Sequence, residues 1–373
     1  MPQNGIGARI KLNYLFQNSN MNTYPLKQAS LLLKGRKRLL IAAYGSEDRT
    51  LGWTNFQIKQ GAILTEALMI KYEPEKGHNK IKEVKTNLSK LGIHFPEDFS
   101  LDVYNPYDLE DRLEEKFANI NYYQEIILDI SSLTKLTILI LLSKLIHFSG
   151  TLRIVYTEAK NYTPSQTVFD SKRDDPKIIN HFPSEGFGTI LRARCLSSIR
   201  MQGQPVCLVA FTSFNEQLIR HMLGTMSPHR LLLINGKPPR KAHSWREQAT
   251  HYIYHKLLQE YQDGNETDKK TGLLTRKCST LYYNETINKI DEVYSEFGLY
   301  ERIIIAATGS KMQTVGLFFS KLKHPDIHIE YPTPDSYNLK EISSGIFLIH
   351  EIKLPNFKEI VASLSGNMIE EKC

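Results

Sequence analysis

Two short polar segments, one in each half of the chain, carry residue types that suit the binding of an anion. Residues 129–135 are Asp-Ile-Ser-Ser-Leu-Thr-Lys, and residues 307–311 are Ala-Thr-Gly-Ser-Lys. Each segment follows an apolar run typical of a buried strand and precedes a helical pattern. Backbone N–H groups at a helix start favour negative charge, and hydroxyl and ammonium groups add donors. We therefore expect a phosphate or nucleotide at both segments. The residues expected to contact it are Ser131, Ser132, Thr134, Lys135, Thr308, Gly309, Ser310 and Lys311.

A simpler interpretation of these segments is that a Ser or Thr caps the helix while the lysine is solvated. A cap explains the hydroxyl group. It does not explain why a lysine recurs at the same place, as Lys135 and Lys311.

The loops after the first predicted strand of each half add candidate groups. Glu47 or Asp48 could act as a general base or orient a ribose hydroxyl, and Arg49 could pair with a phosphate. The alternative is a salt-bridged turn that caps the next helix. Tyrosines at strand ends could stack on a base or simply cover the sheet edge. The further ligand contacts expected from these loops and strand ends are Ser46, Arg49, Thr212, Ser213, Tyr156 and Tyr331.

The elements that must position these residues occur twice in the same order. Residues 125–145 correspond to 302–322 as an apolar strand, a Ser/Thr/Lys loop and a helix that ends in Ser-Lys-Leu. A strand follows each helix, and each continues into a pair of tyrosines separated by five residues. The spacing between corresponding positions is nearly constant, which indicates an internal duplication.

Strands that alternate with helical patterns of about 10–15 residues predict mainly parallel, doubly wound sheets. The expected fold class is α/β, with two tandem Rossmann-like domains related by a pseudo-two-fold axis. In such sheets ligands bind at the carboxyl ends of the strands, where the strand order reverses. The predicted ranges are an N-terminal extension (1–30), a first domain (31–165), a linker (166–204), a second domain (205–357) and a C-terminal tail (358–373).

Composition places the chain among ordinary globular proteins. The 373 residues are 41% hydrophobic and 23% charged, with a formal net charge of +7, which excludes a largely disordered or collagen-like chain. The charge suits an anionic ligand but is too small for a dedicated binder of duplex nucleic acid. The four cysteines form no CxxC pair, so neither a zinc site nor a disulfide framework is expected. We expect a cytoplasmic protein without signal peptide or membrane span.

The strand-loop-lysine pattern resembles the CRISPR-associated Rossmann fold (CARF) family of nucleotide sensors. Thr308, Gly309, Ser310 and Lys311 fit the family's pattern of Thr, Gly, Ser or Thr, and Lys or Arg. The first half has Leu133 where glycine is usual, which would limit a close backbone approach to a phosphate. The resemblance implies binding of cyclic oligoadenylates or related nucleotides in a pocket formed by two such domains, which the tandem halves could supply within one chain.

The leading functional interpretation is recognition of a nucleotide or short cyclic oligonucleotide between the two halves, coupled to a partner protein in prokaryotic defence or signalling. One alternative is a metal-independent ring nuclease in which Lys135 and Lys311 stabilise the developing charge. Another is a nucleoside or nucleotide hydrolase that uses Glu47, Asp48 or Asp129. A scaffold subunit of a multiprotein complex and a homo-dimer are also open. Neither a cofactor nor a metal is expected.

The sequence does not contain the motifs that would indicate several other enzyme classes. The chain lacks the Walker, GxGxxG, GxSxG and HExxH patterns. Arg246 and His251 have the Arg-x4-His spacing of HEPN ribonucleases, but a pair of this kind is expected by chance at this composition. We therefore expect no nuclease site there.

Overall fold

A computed structural model describes residues 21–25, 35–73, 79–337 and 342–365. The described chain divides into two compact units. The first unit takes residues up to 134, 141–161 and from 343 onwards, whereas the second takes Lys135–Ile140 and Tyr162–Ile342. Residues 21–25 of the predicted extension and residues 358–365 of the predicted tail are described.

The strands are β1 (Met21–Pro25), β2 (Arg38–Ala43), β3 (Glu66–Glu73), β4 (Glu97–Asp102), β5 (Glu125–Asp129), β6 (Thr151–Tyr162), β7 (Ser184–Glu185), β8 (Ile190–Leu191), β9 (Val206–Phe211), β10 (Arg230–Lys237), β11 (Lys277–Ser279), β12 (Arg302–Ala306), β13 (His328–Pro332), β14 (Ser336–Tyr337) and β15 (Ser343–Leu354). The α-helices are α1 (Gly52–Lys59), α2 (Ile81–Lys90), α3 (Pro106–Lys116), α4 (Lys135–Lys144), α5 (Gln166–Lys172), α6 (Gln217–Met226), α7 (Trp245–Glu260), α8 (Tyr283–Phe297), α9 (Lys311–Lys323) and α10 (Phe357–Leu364).

The first unit is built on a sheet with the strand order β1-β15-β6-β5-β2-β3-β4. Strands β2 to β6 pair in parallel, and β1 pairs with β15 in the antiparallel direction. The chain moves outwards from β2 to β3 and β4 and then returns to the other side of β2 with β5. The strand order therefore reverses between β2 and β5, which is where an open α/β sheet places its ligand crevice.

The second unit has the order β11-β10-β9-β12-β13-β8. Its strands pair in parallel, except that β8 runs antiparallel to β13. The reversal of strand order falls between β9 and β12. The predicted fold class, two Rossmann-like domains with mainly parallel sheets, is confirmed. The pseudo-two-fold relation stays a prediction.

Each sheet is buried by helices that pack on its apolar strands. In the first unit, Leu40, Met69 and Ile127 pack with Trp53 and Phe56 of α1. In the second, Leu208 and Leu233 pack with Ile219 of α6 and Tyr254 of α7. Because the central strands are covered on both faces, they are continuously apolar, as the sequence indicated.

The observed units divide the chain at different places from the predicted ranges. The predicted linker, 166–204, contains α5 and β8 and packs on the second unit. Phe169 and Phe182 of this segment form an apolar cluster with Phe214 and Ala249. Scattered prolines and glycines broke the helical pattern there, but the remaining aromatic side chains are enough to bury the segment.

The long strand β15 also departs from the predicted ranges, because it belongs to the first sheet although it follows the second unit in sequence. A buried ionic network crosses that sheet. Glu125 accepts hydrogen bonds from Arg38 Nε at 2.6 Å and Arg153 Nε at 2.5 Å, and Arg153 Nη1 also bonds Glu351 of β15 at 2.5 Å. A buried charge without its partner is costly, so this network favours the observed order of β15, β6, β5 and β2.

None of the helices in the described ranges has both the length and the apolarity needed to cross a membrane. Cys195, Cys207 and Cys278 are free thiols, and Cys373 lies outside the described residues. Within the described part of the chain, no cluster of three or more His, Cys, Asp or Glu side chains could hold a metal ion.

Candidate functional site

The turn between β12 and α9 lies where the strand order of the second sheet reverses. Ser310 is the N-cap of α9, and its Oγ accepts a hydrogen bond from Gln313 N at 3.1 Å. Gln313 Oε1 in return accepts from Ser310 N at 2.7 Å, which completes a capping box. Lys311 is the first residue of the helix. The cap that was the simpler interpretation of this segment is therefore present.

The other side chains of this turn are held by neighbouring backbone. Thr308 Oγ1 donates to Phe211 O at 2.6 Å, and Ser310 Oγ donates to Thr280 O at 2.6 Å. A Cβ at Gly309 would lie 2.4 Å from Gln313 Oε1 and 3.0 Å from Phe211 Cγ. The tight approach to Gln313 and Phe211 explains the glycine, and the two hydroxyls position the turn.

Lys135, which begins α4 and belongs to the second unit, contacts the same turn. Its Nζ donates to Thr308 O at 3.0 Å and to Gly309 O at 3.1 Å. The ring of Tyr331 lies 5.9 Å from Nζ. Burial lowers the pKa of Lys135 to about 8. The structure thus brings Lys135, Thr308, Gly309 and Tyr331 together, and their role in binding a ligand stays a prediction.

The loop after β9 is turned towards the interior of the second unit. Thr212 Oγ1 donates to Asn235 Oδ1 at 2.6 Å, and Ser213 N donates to Tyr254 OH at 3.4 Å. Asn235 Oδ1 also accepts from Thr250 at 2.8 Å. Thr212 and Ser213 directly follow β9. Their hydrogen bonds to Asn235 and Tyr254 hold the loop against the core of the second unit.

A basic segment at the end of β10 was not among the predicted site residues. Lys237 ends the strand, and Arg240 and Lys241 follow within four residues, with Pro238 and Pro239 between them. Thr280 N donates to Lys237 O at 3.1 Å, and Thr280 O accepts from Ser310. Thr280 therefore links the end of β10 to the turn before α9. A run of Lys and Arg directly after an apolar strand was the signal that could have identified this segment.

In the first unit, the segment 129–134 is closed by packing and hydrogen bonds. Ser131 Oγ accepts from Thr157 N at 2.8 Å, and Ser131 N donates to Asp129 Oδ1 at 2.9 Å. Ser132 Oγ and Thr50 Oγ1 lie 2.6 Å apart. The hydroxyl groups of Ser131 and Ser132, which were predicted to bind a ligand, therefore already have hydrogen-bond partners within the first unit.

Two further contacts close the same segment. Thr134 N donates to Tyr72 OH at 2.9 Å. The Leu133 side chain is completely buried. A Cβ at Gly45 would lie 2.7 Å from both Ser132 Oγ and Thr50 Oγ1, so the loop after β2 presses directly on this segment.

A small cavity remains between these two loops of the first unit. Its polar lining is Thr50, Thr54, Asp129 and Ser132, and its volume is about 10 Å³. That is roughly the space of one water molecule. This cavity is therefore too small for a nucleotide.

The charged side chains after β2 form ion pairs and bonds to β15. Arg49 Nη2 lies 2.7 Å from Glu47 Oε1, and Ser343 Oγ donates to Glu47 Oε2. Asp48 Oδ2 accepts from Gly345 N at 2.8 Å. This bond and the one from Lys80 lower the pKa of Asp48. These contacts match the salt-bridged turn that was the alternative to a catalytic loop, and Ser46 lies half-buried beside them.

Tyr156 lies in the first unit, 3.5 Å from Arg49 through its hydroxyl, and its ring stacks on His350 with centroids 6.2 Å apart. Tyr331 is its counterpart in the second unit, where it lies near Lys135 and where its hydroxyl is 3.5 Å from that of Tyr337. The ring of Tyr331 is 7% exposed. Both rings are therefore packed against protein groups.

The Arg246 side chain is held by backbone carbonyl groups and an aromatic ring. Its guanidinium donates to Pro164 O and Thr163 O, each at 3.0 Å, and lies over the ring of Phe214. Burial lowers its pKa to about 10. These contacts hold the turn at Thr163–Pro164.

No protein-family model matches the chain, and no curated protein matches it. Among solved structures, the chain is similar to a Type III CRISPR defence DNA nuclease activated by cyclic oligoadenylate, with a TM-score of 0.45 and 7% identity over 83% of this chain and 68% of that one. A UDP-N-acetylglucosamine 2-epimerase aligns with a TM-score of 0.20 and 10% identity over 78% of this chain and 89% of that one.

An O-methyltransferase family 2 protein from Planctomyces limnophilus aligns with a TM-score of 0.19 and 17% identity over 41% of this chain and 44% of that one. At these TM-scores and identities, none of the three likenesses assigns a family or a ligand to this chain.

Proposed function

We propose that this protein recognises a nucleotide or short oligonucleotide by its phosphate groups, at the carboxyl edge of the second unit's sheet. The residues that carry the proposal are Lys311, at the start of α9, and Lys237, at the end of β10. Coupling to a partner protein in prokaryotic defence or signalling follows from the resemblance of Thr308–Lys311 to CARF sensors. A ligand shared by both halves and a homo-dimer stay predictions.

The observation that carries this proposal is the positive charge at the reversal of strand order. Lys311 starts the helix that follows β12, and the basic segment Lys237–Lys241 is linked to the same turn through Thr280. Residues 237–246 contain no Asp or Glu. A helix start and several cations at one sheet edge favour a ligand with more than one phosphate.

The geometry also indicates which groups would contact the ligand. The hydroxyls of Thr308 and Ser310 already bond protein atoms, so the contacts would come from backbone N–H groups and cationic side chains. Lysine binds phosphate as a point charge rather than with fixed geometry. The affinity should therefore depend strongly on salt.

Calorimetric titration of the full chain with ATP and with cyclic and linear oligoadenylates tests the proposal. Lys311→Ala and Lys237→Ala should each weaken binding by about tenfold and reduce the slope of log affinity against log salt by roughly 0.7. Lys256→Ala is the matched control, since Lys256 is an exposed lysine within α7. If the wild-type chain binds none of these ligands, or if the three variants behave alike, the proposal is wrong.

The hydrolase alternative depends on Glu47, Asp48 and Asp129 and stays a prediction. In the described conformation Glu47 is paired with Arg49, and the lowered pKa of Asp48 makes its carboxylate a weaker base. Glu47→Gln and Asp48→Asn would test this alternative, because a catalytic carboxylate requires that turnover be lost while binding persists.

A further inference from the structure

The ammonium of Lys135 lies against two successive carbonyl groups of the turn before α9. The distances from Nζ are 3.0 Å to Thr308 O and 3.1 Å to Gly309 O. Carbonyls that bond a cation are acceptors with a fixed direction. Lys135 therefore fixes the orientation of two peptide groups within the second unit.

That orientation decides where the N–H groups of the turn point. In a trans peptide the C=O and N–H point in opposite directions. With the oxygens of Thr308 and Gly309 directed at Lys135, the N–H groups of Gly309 and Ser310 are directed away from it. The Ser310 N–H bonds Gln313 Oε1 at 2.7 Å, and the Gly309 N–H lies beside the start of α9.

The remaining contacts of the turn hold its two ends but not its middle. Thr308 Oγ1 is bonded to Phe211 O, and Ser310 Oγ is bonded to Thr280 O. Between them, Gly309 is the residue with the greatest conformational freedom. The bond from Lys135 to Gly309 O restrains this residue directly.

The environment of the ammonium explains why it bonds carbonyls. Lys135 is half-buried, and the titratable side chain seen to face it is that of Tyr331 on β13, with the ring centre 5.9 Å from Nζ. Burial lowers its pKa to about 8, so the group is still mostly protonated at pH 7. A partly desolvated cation needs such acceptors.

We infer that Lys135 is a positioning residue, which holds the two peptides on either side of Gly309 so that the Gly309 N–H can meet the ligand while the Ser310 N–H bonds Gln313. The inference rests on the proposed function and gives the two equivalent lysines different tasks. Lys311 binds the ligand, whereas Lys135 orients the turn that binds it.

Hydrogen–deuterium exchange of the full chain without ligand tests the positioning of the turn. Lys135→Met should increase exchange in the peptide that contains residues 308–313, while Lys256→Met, at an exposed position of α7, should leave it unchanged. Lys135→Arg keeps a charged donor and should restore most of the protection. If Lys135→Met leaves exchange at the turn unchanged, the inference is wrong.

Titration of the same variants with ATP and cyclic oligoadenylate gives the second measurement. Lys135→Met should weaken binding by about tenfold, and Lys135→Arg should recover most of it, because the turn again has a charged donor. Weaker binding with unchanged exchange would mean that Lys135 contacts the ligand directly, which overturns the inference. If the wild type binds no ligand, the proposed function fails, whereas the exchange experiment still tests the positioning of the turn.

Discussion

The turn after the fourth parallel strand has Leu133 in the first unit and Gly309 in the second. Leu133 is completely buried, so the backbone around it is held by the core. Gly309 lacks a side chain, and a Cβ there would lie 2.4 Å from Gln313 Oε1. The same strand-turn-helix arrangement is therefore closed by a buried leucine in the first unit and, in the second, by a glycine that packs on Gln313 and whose carbonyl bonds Lys135.

The acidic residue that precedes or begins this strand differs in a similar way. Glu125 is buried between Arg38 and Arg153, whereas Glu301, which precedes β12, is also buried but pairs with a single half-buried arginine, Arg230. The first unit thus uses charge to fix the order of its strands. The comparison indicates that the two units use charge differently at the start of this strand.

The largest effect is expected where the buried network is broken. Glu125→Gln would leave Arg38 and Arg153 without their shared carboxylate and should lower the free energy of unfolding by about 3–5 kcal/mol. The matched variant Glu301→Gln should cost less, about 1–3 kcal/mol, because Arg230 is its single arginine partner and also pairs with Asp263. Urea unfolding followed by circular dichroism measures both. Equal losses would remove the contrast between the two acidic residues.

The Leu133 and Gly309 positions provide the second test. Leu133→Ala should lower the free energy of unfolding by about 3 kcal/mol, because it leaves a cavity in the core, and should not change nucleotide affinity. Gly309→Ala should weaken binding by about tenfold, because the new methyl group displaces Gln313 from the capping box. Unfolding and calorimetric titration of both variants measure these changes. The comparison fails if Leu133→Ala reduces affinity as much as Gly309→Ala.

A smaller effect is expected at the cap of α9. Ser310→Ala removes the acceptor for Gln313 N and should cost about 1 kcal/mol of stability. Ser363→Ala, at an exposed position in α10, is the control and should cost nothing measurable. Thermal unfolding compares the two variants. A stability loss near zero for Ser310→Ala would mean that water replaces the cap.

A further effect concerns pH and Lys135. Its pKa is about 8 in the folded chain, against an ordinary value of 10.5. Between these values the unfolded chain binds more protons, so this group makes the wild type more stable as pH rises. Lys135→Met lacks that contribution. The melting temperature of the wild type relative to the variant should therefore increase from pH 7.5 to 10, and a constant difference would contradict the lowered pKa.

Much of the architecture could be predicted from local pattern. Apolar runs such as 206–211 and 302–306 are strands, and the polar turns lie at their carboxyl ends, because parallel strands buried on both faces must be continuously apolar. The capping box of α9 was also foreseeable, since Ser310 and Gln313 have the required spacing.

Other features depend on contacts between residues far apart in the sequence. The placement of β15 beside β6 and the burial of segment 166–204 could not be predicted, since pattern within a segment does not identify its partner. Glu47 and Asp48 are residue types that can act as a general base. Their hydrogen bonds from Ser343 and Gly345, almost 300 residues away in the sequence, could not be predicted from the loop itself.

Residue pattern alone predicts two α/β halves with a lysine at the start of the helix after the fourth parallel strand of each. These properties follow from hydrophobic periodicity and residue spacing, which act locally. The bonds from Lys135 to the carbonyls of Thr308 and Gly309 depend on the folded chain. A lysine's partners are the groups that the fold brings within hydrogen-bond distance of its ammonium, and residue spacing does not specify them.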